Sequence, residues 1–163
     1  MPNWCENELK VEGDKKLIDV FVEVAKSENG PLSLNQFVPY PKCFQSKKLE
    51  EKYRSDGFNS YGFRDDILGG YNWCILNWGT KWDLSEVKMT RKDNGDKSVL
   101  IFNFDTAWSP PTIALLRIAS IFKKLNFTLR FWECGNAMRG IFQVKKGKLI
   151  KDDNYEYKGR RGG

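Results

Sequence analysis

The chain has 163 residues, 40% hydrophobic and 29% charged, which suits one globular domain with a single core rather than a disordered chain or several domains. It carries no histidine, so Ser-His-Asp and Cys-His nucleophile systems, the usual near-neutral general base and most zinc sites are excluded. No apolar run approaches the roughly 18 residues that span a bilayer, and MPNWCENELK has acids where a secretory leader has a basic start and an apolar stretch; a soluble cytoplasmic protein is expected.

Residues 5–12 alternate and end at Gly13-Asp14, which predicts a strand and a turn, with Asp14 placed to cap a helix. From Lys15 to Glu28 the apolar Leu17, Val20, Phe21 and Val24 follow helical spacing, stopped by Asn29-Gly30. Leu32–Val38 reads as a second strand, broken by Pro39 and Pro41. Residues 42–70 mix charges, Ser, Gly and scattered aromatics without a period, and read as an insertion holding a short helix over Lys47–Arg54.

GYNWCILNWGTKWD, ending at Asp83, is the densest aromatic stretch; a short helix over Asn72–Trp78, closed by Gly79, turns several of its rings inward. A hairpin follows, made of Leu84–Thr90, the turn Asp93-Asn94-Gly95 and Ser98–Asp105. In Trp108-Ser109-Pro110-Pro111, Ser109 is placed to cap and Pro110 suits the first position of a helix running to Leu125. Phe127–Cys134 and Arg139–Lys145 read as strands, Lys146-Gly147-Lys148 as a turn and Leu149–Lys151 as a short last strand. Residues 152–163 are expected to form a flexible, polar, basic tail. The order β-α-β, insertion, β-β-α-β and extra C-terminal strands predicts one α+β domain over 1–151. It is a ferredoxin-like sandwich, with a mostly antiparallel sheet and two helices on one face.

Charge is uneven: residues 1–41 sum to −3, 42–110 to +1 and 111–163 to +8. A C-terminal third this basic suits a phosphate backbone or an acidic protein face. Cys5, Cys43, Cys74 and Cys134 form no CxxC pair, and we read them as reduced, structural thiols with no metal. No nucleotide-loop, zinc-protease or serine-hydrolase motif is present, so no catalytic residue and no cofactor is assigned. Lys81, Asp83, Asp105 and Glu133 are the side chains from which acid/base chemistry on a nucleotide-like substrate would have to be assembled.

The candidate binding residues are Asn77, Trp78, Thr80, Lys81, Trp82 and Asp83, which set donors and acceptors among rigid rings as binding pockets do. Trp108 and Ser109 at a helix start, and Arg139, Lys145, Lys146 and Lys148 in the basic third, complete the set. In each case the competing reading is packing and local hydrogen bonding. Phe102 and Phe104 sit where an RRM sheet would show base-stacking rings, but the glycine-containing RNP1 pattern is missing and they are expected to face the helices.

MPNWCENELKVEG, GYNWCILNWGTKWD and DTAWSPPTIALLRIASIF, followed by WECG, together resemble the YubB-like family of small proteins carried mainly by bacteriophages and plasmids. The resemblance runs from Met1 to about Lys145, apart from residues 42–70. It implies a ferredoxin-like domain and a mobile-element origin, and no reaction. The function expected is a non-catalytic interaction protein that binds a host protein or nucleoprotein complex in a bacterial cytoplasm, as in counter-defence. The alternatives are direct nucleic-acid binding through the basic third and a small enzyme on a nucleotide-like substrate.

Overall fold

Strict alternation along four strands decides the architecture. In β1 (Trp4–Asp14), from Cys5 to Val11, and throughout β3 (Lys97–Ala107) and β4 (Asn126–Glu133) every second side chain is buried, and in β5 (Met138–Lys145) Phe142 and Val144 keep the period. Leu9, Leu100, Phe102, Phe127, Leu129 and Phe142 lie on the covered side, while Glu6, Glu8, Lys10, Arg130 and Arg139 lie on the other. The computed structural model describes residues 3–44, 48 and 70–159, so the expected helix over Lys47–Arg54 and most of the insertion fall outside the described residues.

With β2 (Ser85–Asn94) and β6 (Lys148–Glu156), the sheet has the order β2-β3-β1-β4-β5-β6, antiparallel throughout. The helices are α1 (Lys15–Ala25), α2 (Gly70–Trp78) and α3 (Thr112–Ile121). α1 packs on β1 and β3, and α3 packs on β4, β5, β6 and α2, leaving the opposite face of the sheet free of helices among the described residues. This is the ferredoxin-like α+β sandwich that the element order predicts, with β5 and β6 as the added strands.

Phe21 of α1 is fully buried at the centre of the packing. Its ring lies 5.2 Å from Phe122, 5.7 Å from Phe37, 5.9 Å from Phe127 and 6.3 Å from Phe102, in stacked and edge-on geometries. Phe102 and Phe104 are buried under the helices, as their place in the alternation requires. Asp14 caps α1, its carboxylate accepting from the Lys16 amide at 3.0 Å.

Four local expectations are corrected. Leu32–Val38 is not a strand. Leu32, Leu34 and Val38 are buried as a strand pattern would suggest, but Leu34–Gln36 forms a 3-10 turn and the place beside β3 belongs to β2. The hairpin turn is one residue later than expected: Asn94 pairs with Lys97, and Gly95 takes the positive φ of +57° at the first turn position, the pattern of a II′ turn. α3 starts at Thr112, not Pro110, because Pro111 drives the residue before it away from helical angles. It ends at Ile121 rather than Leu125, and Ser109 does not cap it. β6 continues beyond Lys151 to Glu156 in full register with β5, so much of the expected tail is an edge strand.

Candidate functional site

The NWGTKWD segment is mostly held by the fold. Trp78 is buried, its indole N–H donating to the Val38 carbonyl at 2.8 Å, and the Thr80 hydroxyl, also buried, donates to Ala107 O at 3.0 Å. Asn77 donates to Trp73 O and accepts from Arg117 Nη2, both within one surface of α2 and α3. Asp83 accepts from the Ser33 hydroxyl at 2.6 Å and from the Leu34 amide at 2.8 Å, pinning the 3-10 segment to the start of β2. Ser109 donates to Gly79 O at 2.6 Å, and Gly79 takes φ +88°, a conformation that residues with a side chain rarely adopt, with the Pro110 carbonyl tight against where a Cβ would sit. Of the six residues Asn77–Asp83 chosen from sequence, Lys81 and Trp82 are the ones free to act on a partner.

These two join an outward-facing aromatic group. The Lys81 ammonium sits 4.9 Å from the centre of the Tyr71 ring and 5.9 Å from that of Trp82. Trp82 in turn meets Tyr71 at 6.2 Å and Trp4 at 6.0 Å. Tyr71 is 60% and Trp4 42% exposed. Beside the group a pocket of about 350 Å³ is edged by Asn29, Asn35, Gln36 and Lys81. Trp108 is 42% exposed at φ +72°, its amide donating to Asn3 O at 2.9 Å.

Trp4 carries this group onto the helix-free face of the sheet. Two residues along β1, Glu6 accepts the Trp132 indole N–H at 2.8 Å, and residues in such diagonal positions lie about 7–8 Å apart. The register then sets Glu6, Trp132, Arg139 and Tyr155 in one row across β1, β4, β5 and β6. Arg139 stacks over the Tyr155 ring at 6.0 Å, and Arg130 sits in the next row within 3.4 Å of Glu8. Trp132, Arg130, Arg139, Ile141, Tyr155 and Tyr157 line an open groove of about 540 Å³.

The charge environment follows from these contacts. The Tyr155 hydroxyl and Lys151 hold the Asp153 carboxyl below its usual range, and the same contact pushes Tyr155 up. Burial, then Glu6 and Glu86, raise Asp105. Burial pushes the Cys5 and Cys74 thiols up to about 12, which keeps them protonated and un-nucleophilic at neutral pH. Among the described residues no group of three His, Cys, Asp or Glu is placed to hold a metal, and no helix is long and apolar enough to cross a membrane.

Arg139 lies in the row of Trp132 on the open face, whereas Lys81 and Trp82 line the pocket beside Asn35, Gln36 and Tyr71, with Trp82 meeting Trp4 at 6.0 Å. Lys145 lies six residues along β5 from Arg139, about 20 Å at strand rise, and the exposed Lys146 and Lys148 flank the β5–β6 turn beside it. Of the acid/base set, Lys81 and Asp83 line the same pocket of about 350 Å³, while Glu133 and Asp105 lie apart from it and from each other. Glu133 is buried on the covered side, accepting from the Gly135 and Asn136 amides at 2.6 and 2.7 Å, while Asp105 pairs with Glu6 on the open side. Sequence reasoning missed Trp132 and Tyr155. The alternation of FTLRFWEC already assigns Phe127, Leu129 and Phe131 to one side and so Arg130 and Trp132 to the other, whereas Tyr155 falls in the stretch that the sequence reads as a tail.

No curated protein matches the chain. Among solved structures it is similar to that of a protein api92 from Yersinia pseudotuberculosis, with a TM-score of 0.59 and 11% identity, covering 98% of this chain and 99% of that one. At that identity the likeness establishes the fold. A family model described as the ferredoxin-like domain in Api92-like protein matches residues 76–161, from the last turn of α2 past the end of β6. That match takes in more than half of the 163 residues, and the chain belongs to the family of Api92-like proteins carrying this ferredoxin-like domain.

Proposed function

We propose that the chain is a non-catalytic interaction protein that engages a host protein or nucleoprotein through the helix-free face of its sheet. The observation that carries this reading is the row Trp132, Arg139 and Tyr155 over an open groove, continued by Trp4 and Trp82 at the same end of the sheet. Aromatic rings and arginines concentrated on an exposed surface are the composition of binding hot spots, since they bury much area with few rotatable bonds. Of the side chains that acid/base chemistry would need, Glu133 and Asp105 lie on opposite sides of the sheet, and Asp83, which shares a pocket with Lys81, is engaged by the Ser33 hydroxyl and the Leu34 amide. The resemblance to YubB-like proteins is what supports placing the protein in a phage or plasmid, and with it a counter-defence role in the host cytoplasm.

The test is retention of partners from bacterial lysate by the immobilised full chain, with and without nuclease treatment. A retained partner should be lost with Trp132→Ala/Tyr155→Ala and kept with Val20→Ser, a change on the exposed side of α1. Equal retention by both variants, or no retained partner at all, would count against the reading.

A further inference from the structure

We infer that the helix-free face over β4–β6 takes an unpaired strand of nucleic acid, with bases laid on Trp132 and Tyr155 and phosphates met by Arg139, Arg130 and Lys151. The inference rests on the reading of this face as the binding surface and names what it binds. Three observations carry it.

The first is the spacing and fixation of the rings. Trp132 and Tyr155 stand in one row two strands apart, about 9.6 Å, with the Arg139 guanidinium between them. The Glu6 carboxylate holds the Trp132 indole by its N–H, so the ring is oriented before any ligand arrives. Tyr155, 48% exposed, is likewise held by its hydroxyl at 2.7 Å from Asp153. Pre-oriented, partly exposed rings suit stacking on bases, which every base allows through its π face.

The second is charge. Arg130, Arg139, Lys145 and Lys151 point outward from β4–β6; Arg130 is 3.4 Å from Glu8 and Lys151 3.1 Å from Asp153, exposed pairs that a phosphate can compete for. Arg139 forms no salt bridge among the described residues, and its stacked guanidinium keeps its N–H groups available for phosphate. The acids Glu6, Glu8 and Glu12 lie on β1 at the edge of this strip, where Glu6 holds the Trp132 indole and Glu8 meets Arg130, so the free positive charge is on β5 and β6.

The third is shape. The groove is an open platform on a sheet, not a cleft that would accept a duplex edge, and its recognition elements are ring faces. A duplex hides base faces in its stack, whereas an unpaired strand presents them.

The test uses the full-length protein and fluorescence anisotropy with labelled twelve-nucleotide dT and U strands and a hairpin duplex, at 50 and 200 mM salt. Single strands should bind at least about tenfold tighter than the duplex, with a log–log salt slope near about −2 for three phosphate contacts. Trp132→Ala and Tyr155→Ala should each weaken binding about 5- to 150-fold, and Arg139→Gln should make the slope shallower by about 0.7. Tyr155 lies on the edge strand, so that variant keeps its fold, which its urea midpoint verifies, should Trp132→Ala lose it. Binding of either sugar type supports the inference, and the tighter one identifies the strand. Equal affinity for duplex and single strand, unchanged affinity in folded Trp132→Ala and Tyr155→Ala proteins, or no oligonucleotide binding would overturn it. In the last case, a nuclease-resistant partner lost with Trp132→Ala/Tyr155→Ala leaves the wider reading standing; retention indifferent to those changes removes both.

Discussion

Asp83 separates a structural role from a binding role at the segment that the sequence singles out. Its Oδ2 accepts from the Ser33 hydroxyl at 2.6 Å and its Oδ1 from the Leu34 amide at 2.8 Å, with both donor residues buried. Asp83→Ala removes the acceptor and leaves two buried donors unpaired, each costing about 1–3 kcal/mol. Water reaches Asp83 in part, so we take the lower half of that range and expect a loss near ~3 kcal/mol. For a chain of this size that lowers Tm by about 6–12 °C. Asp83→Asn keeps one acceptor and should cost about 1 kcal/mol less. The assay is urea unfolding followed by far-UV dichroism, with oligonucleotide affinity measured on the same samples. A folded Asp83→Ala protein with an unchanged urea midpoint would refute the reasoning, as would one that keeps its stability and loses binding.

Three further outcomes follow from the structure. At Gly140 an added Cβ would meet the Phe131 ring and the Asp153 carbonyl, so Gly140→Ala should destabilise by about 1–3 kcal/mol and loosen β6 from β5, read as faster amide exchange in residues 148–156. Asp105 has its carboxyl raised above the ordinary 3.8, so the folded state holds the proton more tightly than the unfolded chain and stability falls as pH rises through and above that value. Asp105→Asn should therefore raise Tm at pH 7 and leave it unchanged at pH 3; equal shifts at both would dismiss the charge argument. Cys5 and Cys74, buried and held protonated, should stay unmodified when the native protein is treated with iodoacetamide at pH 8. Peptide mass mapping checks this, and rapid labelling of either would mean that the covered side of the sheet opens readily.

Local pattern carries the sheet because burial on one side imposes a period of two that no other element shares. Leu9, Phe102, Leu129 and Phe142 could be assigned to the core from alternation, and Asp14 to a cap from its chemistry. Leu32–Val38 has the same alternation and is no strand, because its buried leucines pack in a turn whose backbone and hydroxyl donors are taken by Asp83, about fifty positions away. Trp78 and Trp82 look equivalent in sequence. One is buried on the Val38 carbonyl and the other meets Trp4 in the outward-facing aromatic group, a difference set by where α2 ends against its neighbours.

By itself the sequence determined the element types apart from Leu32–Val38 and the stretch after Lys151, the covered and open sides of β1, β3, β4 and β5, and the excess of positive charge in the last third, because each is a property of local composition or of neighbours one to four positions apart. The tertiary structure decided that β6 pairs as far as Glu156, that Trp132, Arg139 and Tyr155 form one row, and that the Lys81–Trp82 group meets that row's face through Trp4. These are register relations between strands distant in the chain, and register is settled by the packing of a whole sheet face rather than by any one segment.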